Sequence, residues 1–207
     1  MAAPQLYEFV EGDEKIVAPG VVARRIRALT AVAATLRSPA VAPGDLGGYI
    51  QAIDNLNAEV SGDAWVYGDA WVSDNAWVYG NARVYGDADV SGNARVYGDA
   101  RVYGDADVSG NARVYGNADV SGNGFICWFS NVGAENGTLT VYNTKDDQIE
   151  VTRGCFKGTV DAFLAASASE HDARIRREYK LLVAVGVSRI DAARAATSVP
   201  EAEEAAE

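Results

Sequence analysis

A valine at every sixth position is the feature that most limits how this chain can fold. It stands at Val60, Val66, Val72, Val78, Val84, Val90, Val96, Val102, Val108, Val114 and Val120, and Ile126 takes the next place. An alanine lies two positions before each valine, from Ala58 to Ala118, with Gly124 before Ile126. A spacing of two puts Ala and Val on one face of an extended strand. Gly followed by Asp or Asn then supplies a turn. Each hexad is therefore one short strand and one corner. So short a strand cannot bury its own valine, but stacked copies can, which is how solenoids arise.

Three hexads per coil close a triangular prism, a left-handed parallel β-helix. Residues 18 apart should then resemble one another more than residues 6 apart, and they do. One column reads Glu59, Trp77, Arg95, Arg113, beside Ser61, Tyr79, Tyr97, Tyr115. A second reads Trp65, Arg83, Arg101, Asp119, beside Tyr67, Tyr85, Tyr103, Ser121. The third reads Trp71, Asp89, Asp107, Phe125, beside Ser73, Ser91, Ser109, Cys127. Two walls are thus Tyr and Arg, and one is Ser and Asp. About four coils result, roughly 19 Å tall at about 4.8 Å per strand spacing.

The fold class expected is mainly β: this β-helix over 58–127, an N-terminal β cap and lead-in over 1–57, a C-terminal hairpin with helices over 128–196, and an acidic flexible tail over 197–207. The cap covers strand edges that an open coil end would expose. Within it, Tyr7 to Phe9 and Lys15 to Val17 read as a hairpin about Glu11-Gly12-Asp13, with Val22 to Leu29 as a further strand. A second hairpin pairs Leu139 to Tyr142 with Gln148 to Thr152 around Thr144 to Asp147. Thr159 caps a helix to about Ala168, and Asp172 caps another ending at Gly186. Ile175, Tyr179, Leu182 and Val183 form the core side of that second helix.

A net charge of −11 and a pI near 4.5 argue against general nucleic-acid binding, which needs a basic footprint. Two cysteines, Cys127 and Cys155, are too few for a disulfide framework, so a reducing cytoplasm is the expected location. The opening MAAPQLYEFVEGDEK lacks a basic segment followed by an apolar run, which predicts no signal peptide. No stretch approaches the roughly 18 uncharged apolar residues of a membrane span.

The run Gly44-Asp45-Leu46-Gly47-Gly48-Tyr49-Ile50, then Asn55-Leu56 and the Gly-Asp-Ala-Trp-Val-Tyr hexads, resembles a family of bacterial and phage hexapeptide-repeat proteins. The run Gly154-Cys155-Phe156-Lys157-Gly158-Thr159-Val160-Asp161-Ala162-Phe163, followed by His171, is similar to that family's tail. The resemblance spans Tyr7 to Val185. It implies a left-handed β-helix and frequent phage or prophage origin. Members are labelled as transferases or polymer-forming proteins, without a settled activity.

Acyl transfer in hexapeptide-repeat enzymes uses a histidine on a coil as general base. Here the single histidine, His171, lies outside the hexads. An acyltransferase-like enzyme is accordingly the runner-up reading. Cys155 with His171 is the other pair for nucleophilic chemistry; the alternative is a buried structural cysteine near a helix-capping histidine. The scattered cysteines and histidine show no metal-ligand spacing. Asp89 and Asp107, stacked on one wall, could hold a cation but read better as solvated carboxylates. No strand, glycine loop and helix pattern marks a phosphate site. Neither metal nor cofactor is therefore expected.

The aromatic walls carry the functional expectation. Trp65, Trp71 and Trp77 precede inward valines and the tyrosines follow them, so all should point outward. Trp, Tyr and Arg are the residue types that anchor interfaces. The expected partner-binding set is Trp65, Tyr67, Trp77, Tyr79, Arg83, Tyr85, Arg95, Tyr97, Arg101, Tyr103, Arg113 and Tyr115. The first expected partner is the chain itself, as a trimer or dimer, and the second a host protein. The reading is a non-enzymatic binding or scaffolding protein, phage- or prophage-borne, acting on a host system or in an assembly.

Overall fold

The hexad alanines and valines from Ala70 to Val120 are all 0 % exposed, so the period-six pattern is the core of a stacked structure. The computed structural model describes residues 6–34, 40–56 and 63–197. Ala58, Glu59, Val60, Ser61 and the tail beyond Thr197 lie outside the described residues. The chain forms two units. One runs to Asn123 and includes Thr144–Asp147; the other comprises Gly124–Asn143 and the residues from Gln148 on.

In the first unit, strands β1 (Tyr7–Ala18), β2 (Val21–Ala28) and β3 (Leu46–Ile50) are antiparallel neighbours. Ten two-residue strands follow. They are β4 (Trp65–Val66), β5 (Trp71–Val72), β6 (Trp77–Val78), β7 (Arg83–Val84), β8 (Asp89–Val90), β9 (Arg95–Val96), β10 (Arg101–Val102), β11 (Asp107–Val108), β12 (Arg113–Val114) and β13 (Asp119–Val120). They stack in parallel as three walls: β6-β9-β12, β4-β7-β10-β13, and β5-β8-β11. The pairs Trp77↔Arg95, Arg83↔Arg101 and Asp89↔Asp107 confirm the 18-residue coil. The result is a parallel β-solenoid of about four turns.

Backbone ladders run from coil to coil, as Arg83 N to Ala100 O at 3.0 Å and Tyr85 N to Val102 O at 3.0 Å. Corners stack glycine on glycine. At Gly98, φ is +71° and an added Cβ would lie 3.0 Å from the Gly116 nitrogen, so a side chain there meets both backbone strain and backbone atoms. The third wall continues downward: β3 pairs in parallel with β5 through Tyr49↔Trp71 and Ile50↔Val72. This joins the N-terminal strands to the solenoid as one six-stranded sheet.

Two readings of the ends are corrected here. The Glu11-Gly12-Asp13 segment is no turn; β1 passes through it, and pairing jumps from Phe9↔Ile26 to Glu14↔Arg24 as a bulge. The chain reverses at Pro19-Gly20 instead, the stronger turn dipeptide. Likewise Ile126, with Phe125 and Cys127, does not continue the third column. That column ends at β11, and Ile126 opens an antiparallel strand.

The second unit holds that strand, β14 (Ile126–Val132), with β15 (Gly137–Asn143), β16 (Ile149–Arg153) and β17 (Phe156–Thr159) in one antiparallel sheet. Helices α1 (Val160–Glu170) and α2 (Ala173–Thr197) follow. The hairpin around Thr144–Asp147 is as expected, with Asn143↔Ile149 closing it. Thr159 Oγ1 accepts from Ala162 N at 3.3 Å, and Asp172 Oδ1 accepts from Ile175 N at 2.9 Å; both are the expected helix caps. However, α2 does not end at Gly186. Apolar spacing continues to Ile190, and a Cβ at Gly186 would sit 2.9 Å from Val141 Cβ, so the glycine permits close helix–sheet approach. Leu139, Val141, Val151, Phe163, Ile175, Tyr179, Val183 and Ile190 form the core, with Leu182 half-buried beside it. Among the described residues no helix is long and apolar enough to cross a membrane.

Candidate functional site

The three walls share one construction but differ in what covers them. On β6-β9-β12, Trp77 is 37 % exposed, and Arg95 and Arg113 are exposed. Tyr79, Tyr97 and Tyr115 form a parallel stack, with ring centroids 4.7 and 4.5 Å apart. The coil repeat sets the spacing, since it brings each tyrosine under the next one strand spacing away. The Arg95 guanidinium carbon lies 5.2 Å from the Trp77 ring centroid, in range for cation–π attraction. Burial within the stack, and then its neighbours Tyr115 and Tyr79, push the Tyr97 hydroxyl up to about 12. Tyr79, raised by burial as well, and Tyr97 therefore stay neutral at physiological pH.

The second Tyr/Arg wall was expected to be equally open, and it is not. Trp65 and Arg83 are each 1 % exposed, and Arg101 is 6 % exposed. For Trp65 and Arg83 the reason lies in the N-terminal segment. Tyr7 packs edge-on against Trp65 at 6.4 Å between centroids. Arg83 donates to the carbonyl oxygens of Ala33, at 3.0 Å, and of Asp63. Arg101 pairs with Asp119 at 2.5 Å. Its Tyr85 and Tyr103 stack at 4.7 Å, while Tyr67 meets Tyr85 edge-on at 6.5 Å. Trp65, Arg83 and Arg101 are thus structural here rather than available to a partner, and Tyr67, Tyr85 and Tyr103 remain half-buried.

On the third wall Asp89 stacks on Asp107. Burial first, then the charges of Asp107 and Asp74, push the Asp89 carboxyl up to about 7, against an opposing hydrogen bond from Ser91. Among the described residues no group of three or more His, Cys, Asp or Glu is placed to hold a metal ion. The raised value has a signed consequence. From the ordinary 3.8 up to about 7 the folded chain keeps a proton that the unfolded chain has lost. This group's contribution therefore declines as pH rises through that window and is flat above it. Asp89→Asn should melt like the parent near pH 4 and above it at pH values beyond about 7, the gap widening between. Melting curves across pH check this; parallel curves would refute it.

In the second unit the structure brings Cys155 and His171 into the lining of one cavity of about 260 Å³. Cys155 is exposed, not the buried structural cysteine of the alternative reading. It sits in the two-residue Gly154-Cys155 turn that joins Arg153↔Phe156, with Gly154 at φ +60°. His171 does cap α1, its N–H donating to Ser167 O at 3.1 Å, and its ring lies 5.5 Å from that of Tyr179. The sequence reading missed Arg153 and Ser167 in this lining. A signal for Ser167 was present: it falls one helical repeat after Phe163, on the core side of α1.

Together the walls define a parallel β-solenoid repeat protein, followed by a separate sheet-and-helix unit. Within the solenoid, residues 76–92, 88–104 and 94–110 match the YdcK beta solenoid repeat, so this stretch is similar to that repeat family. The matches begin at Ala76, Ala88 and Ala94, each the inward alanine of a hexad. No curated protein matches the chain.

Proposed function

We propose that this is a non-enzymatic binding or scaffolding protein whose working surface is the β6-β9-β12 wall, and that its first partner is a second copy of itself. The supporting observation is the contrast between two walls of one composition. On one, Trp65 and Arg83 are buried under the chain's own N-terminal segment; on the other, Trp77, Arg95 and Arg113 stand exposed. A Trp/Arg/Tyr wall of this construction is suited to being covered, and interface anchors are drawn from these residue types. Resemblance to hexapeptide-repeat, left-handed β-helix proteins of bacteria and phages extends the proposal. On that reading the chain is phage- or prophage-encoded and works in the host cytoplasm, in an assembly or against a host protein.

Light scattering tests it. The wild type should run as a dimer or trimer, and Tyr97→Ser with Tyr115→Ser should lower the mass by roughly half or two thirds as the closed assembly falls apart. Circular dichroism should show the β signal retained. A wild type that is monomeric at high concentration would overturn self-association.

A further inference from the structure

We infer that the outer face of α2 is a contact site for a second copy of this chain, whose own α2 lies against it in the opposite direction. The contact belongs to the second unit and is separate from the solenoid wall. It deepens the scaffolding reading by giving one chain two self-contacts. The inner face of α2 is the core stripe of Ile175, Tyr179, Val183, Gly186 and Ile190. On the far side, at 3.6 residues per turn, stand Leu181, Ala184, Val185, Ser188 and Ala192. All are exposed, Leu181 at 59 % and Val185 at 48 %. A solvated helix face carries charged residues along its middle, and the middle of this one carries none between Leu181 and Ala192. A helix that is apolar on two opposite sides is ordinarily covered on both.

Size and charge select the occupant. A twofold contact uses the same patch on both copies. With the axis between Val185 and Gly186, two α2 helices run antiparallel. Leu181 then enters the space between the partner's Ser188 and Ala192, which are small enough to admit it, and the reverse contact forms at the other end. Val185 meets the partner's Val185 beside the axis. Lys180 and Asp191 lie on the same flank of the stripe, and this register brings Lys180 level with the partner's Asp191, twice over. Lys180 is exposed and makes no ion pair among the described residues. The Asp191 side chain is 59 % exposed and holds only a 3.6 Å surface contact with Arg194. Arg177 arrives level with the partner's Arg194, whose guanidinium is turned away to Asn143, Nε donating to Oδ1 at 3.0 Å. In an in-register parallel pair Leu181 would meet Leu181, and Lys180 would stand roughly 16 Å along the axis from the partner's Asp191. Complementarity therefore favours the antiparallel copy.

A single helix pair is small beside the roughly 1,200–2,000 Å² of a standard interface, so a dissociation constant on the order of 0.1 mM is expected. In dilute solution the wall alone then sets the mass. The experiment uses the full chain carrying Tyr97→Ser and Tyr115→Ser, so that the wall contact is absent from every arm. Sedimentation equilibrium should show a monomer–dimer equilibrium near that constant. Leu181→Glu should weaken it more than tenfold and leave the melting temperature unchanged, because the site is exposed in the single chain. Lys180→Glu should weaken it severalfold, and Lys180→Glu with Asp191→Lys should restore it. For direction, Val185→Cys in a Cys155→Ser background should form a disulfide-linked dimer on oxidation. Ala192→Cys should not, since the antiparallel register holds the two copies of that position roughly 20 Å apart; Cys127 is buried. No dimer up to about 1 mM, an unchanged constant in Leu181→Glu, or equal cross-linking at both positions would each overturn the assignment. A lowered melting temperature in Leu181→Glu would overturn it too, by showing that the face is covered within the chain. Each of these failures would leave the wall proposal untouched.

Discussion

Val96→Asp abolishes cooperative folding of the solenoid. Val96 is 0 % exposed and stacks directly between Val78 and Val114 in the β6-β9-β12 wall. Its neighbours inside the coil are the other hexad valines and alanines, none of which offers a hydrogen bond from its side chain. A carboxylate there has neither partner nor water and costs several kcal/mol, even after it takes up a proton. Domains have about 5–15 kcal/mol of stability in total. The coil also lacks the freedom to turn the side chain outward, because a one-residue slip would move Ala94 and Val96 together out of the core. Three of the four tryptophans, Trp65, Trp71 and Trp77, sit on the solenoid, so intrinsic fluorescence reads its melting. The comparison is Asn111→Asp at an exposed corner, which keeps the oxygen that accepts from Asn93 Nδ2 and should change stability by no more than about 0.5 kcal/mol. A Val96→Asp protein that melts like the parent would mean that the inward column is wrongly assigned.

Why the core is legible in the sequence follows from the same geometry. Ala and Val at fixed spacing state the strand face, and sorting at 18 states the coil; both are local periodicities. Thr159 and Asp172 could be read as caps because capping is decided within four residues. The misreadings arose where a distant segment decides. Trp65 and Arg83 carry the same sequence signal as Trp77 and Arg95, and only the placement of Tyr7 and Ala33 separates buried from exposed. Nothing in a hexad records what lies across it. Ile126 keeps the six-residue step and Gly122-Asn123 keeps the turn pair, yet the hexad's Ala is already lost at Gly124, so the step alone was too weak a signal. Gly186 looked like a helix stop because glycine is common there; whether it stops or admits a neighbour depends on Val141, which is far away in sequence. The cavity around Ser167 and Arg153 was invisible for the same reason, being assembled from two β-hairpins and two helices.

The covered wall also yields the second large expected effect. Arg101 and Asp119 occupy paired positions on β10 and β13, with Nη2 to Oδ2 at 2.5 Å and side chains only 7 and 10 % exposed. Their mutual attraction offsets the cost of removing two charges from water, and little surplus is expected. Asp119→Ala removes one side of that balance. The Arg101 guanidinium stays buried beside Tyr103, with its ring 5.7 Å away as a poor substitute for a carboxylate, and about 3–5 kcal/mol should be lost. Replacing both residues, Arg101→Met with Asp119→Leu, removes both charges at once and fills similar space. That double variant should lie within about 1 kcal/mol of the parent, or above it. The pair of measurements therefore separates two accounts of the wall. If the ion pair holds the coils together, the double variant is at least as damaged as Asp119→Ala. If backbone ladders and buried valines hold them, and the pair merely satisfies itself, the double variant recovers nearly all of the loss. The Ala/Val column under this wall, 0 % exposed at Ala82, Val84, Ala100, Val102, Ala118 and Val120, favours the second outcome. Urea midpoints followed by tryptophan fluorescence decide between them.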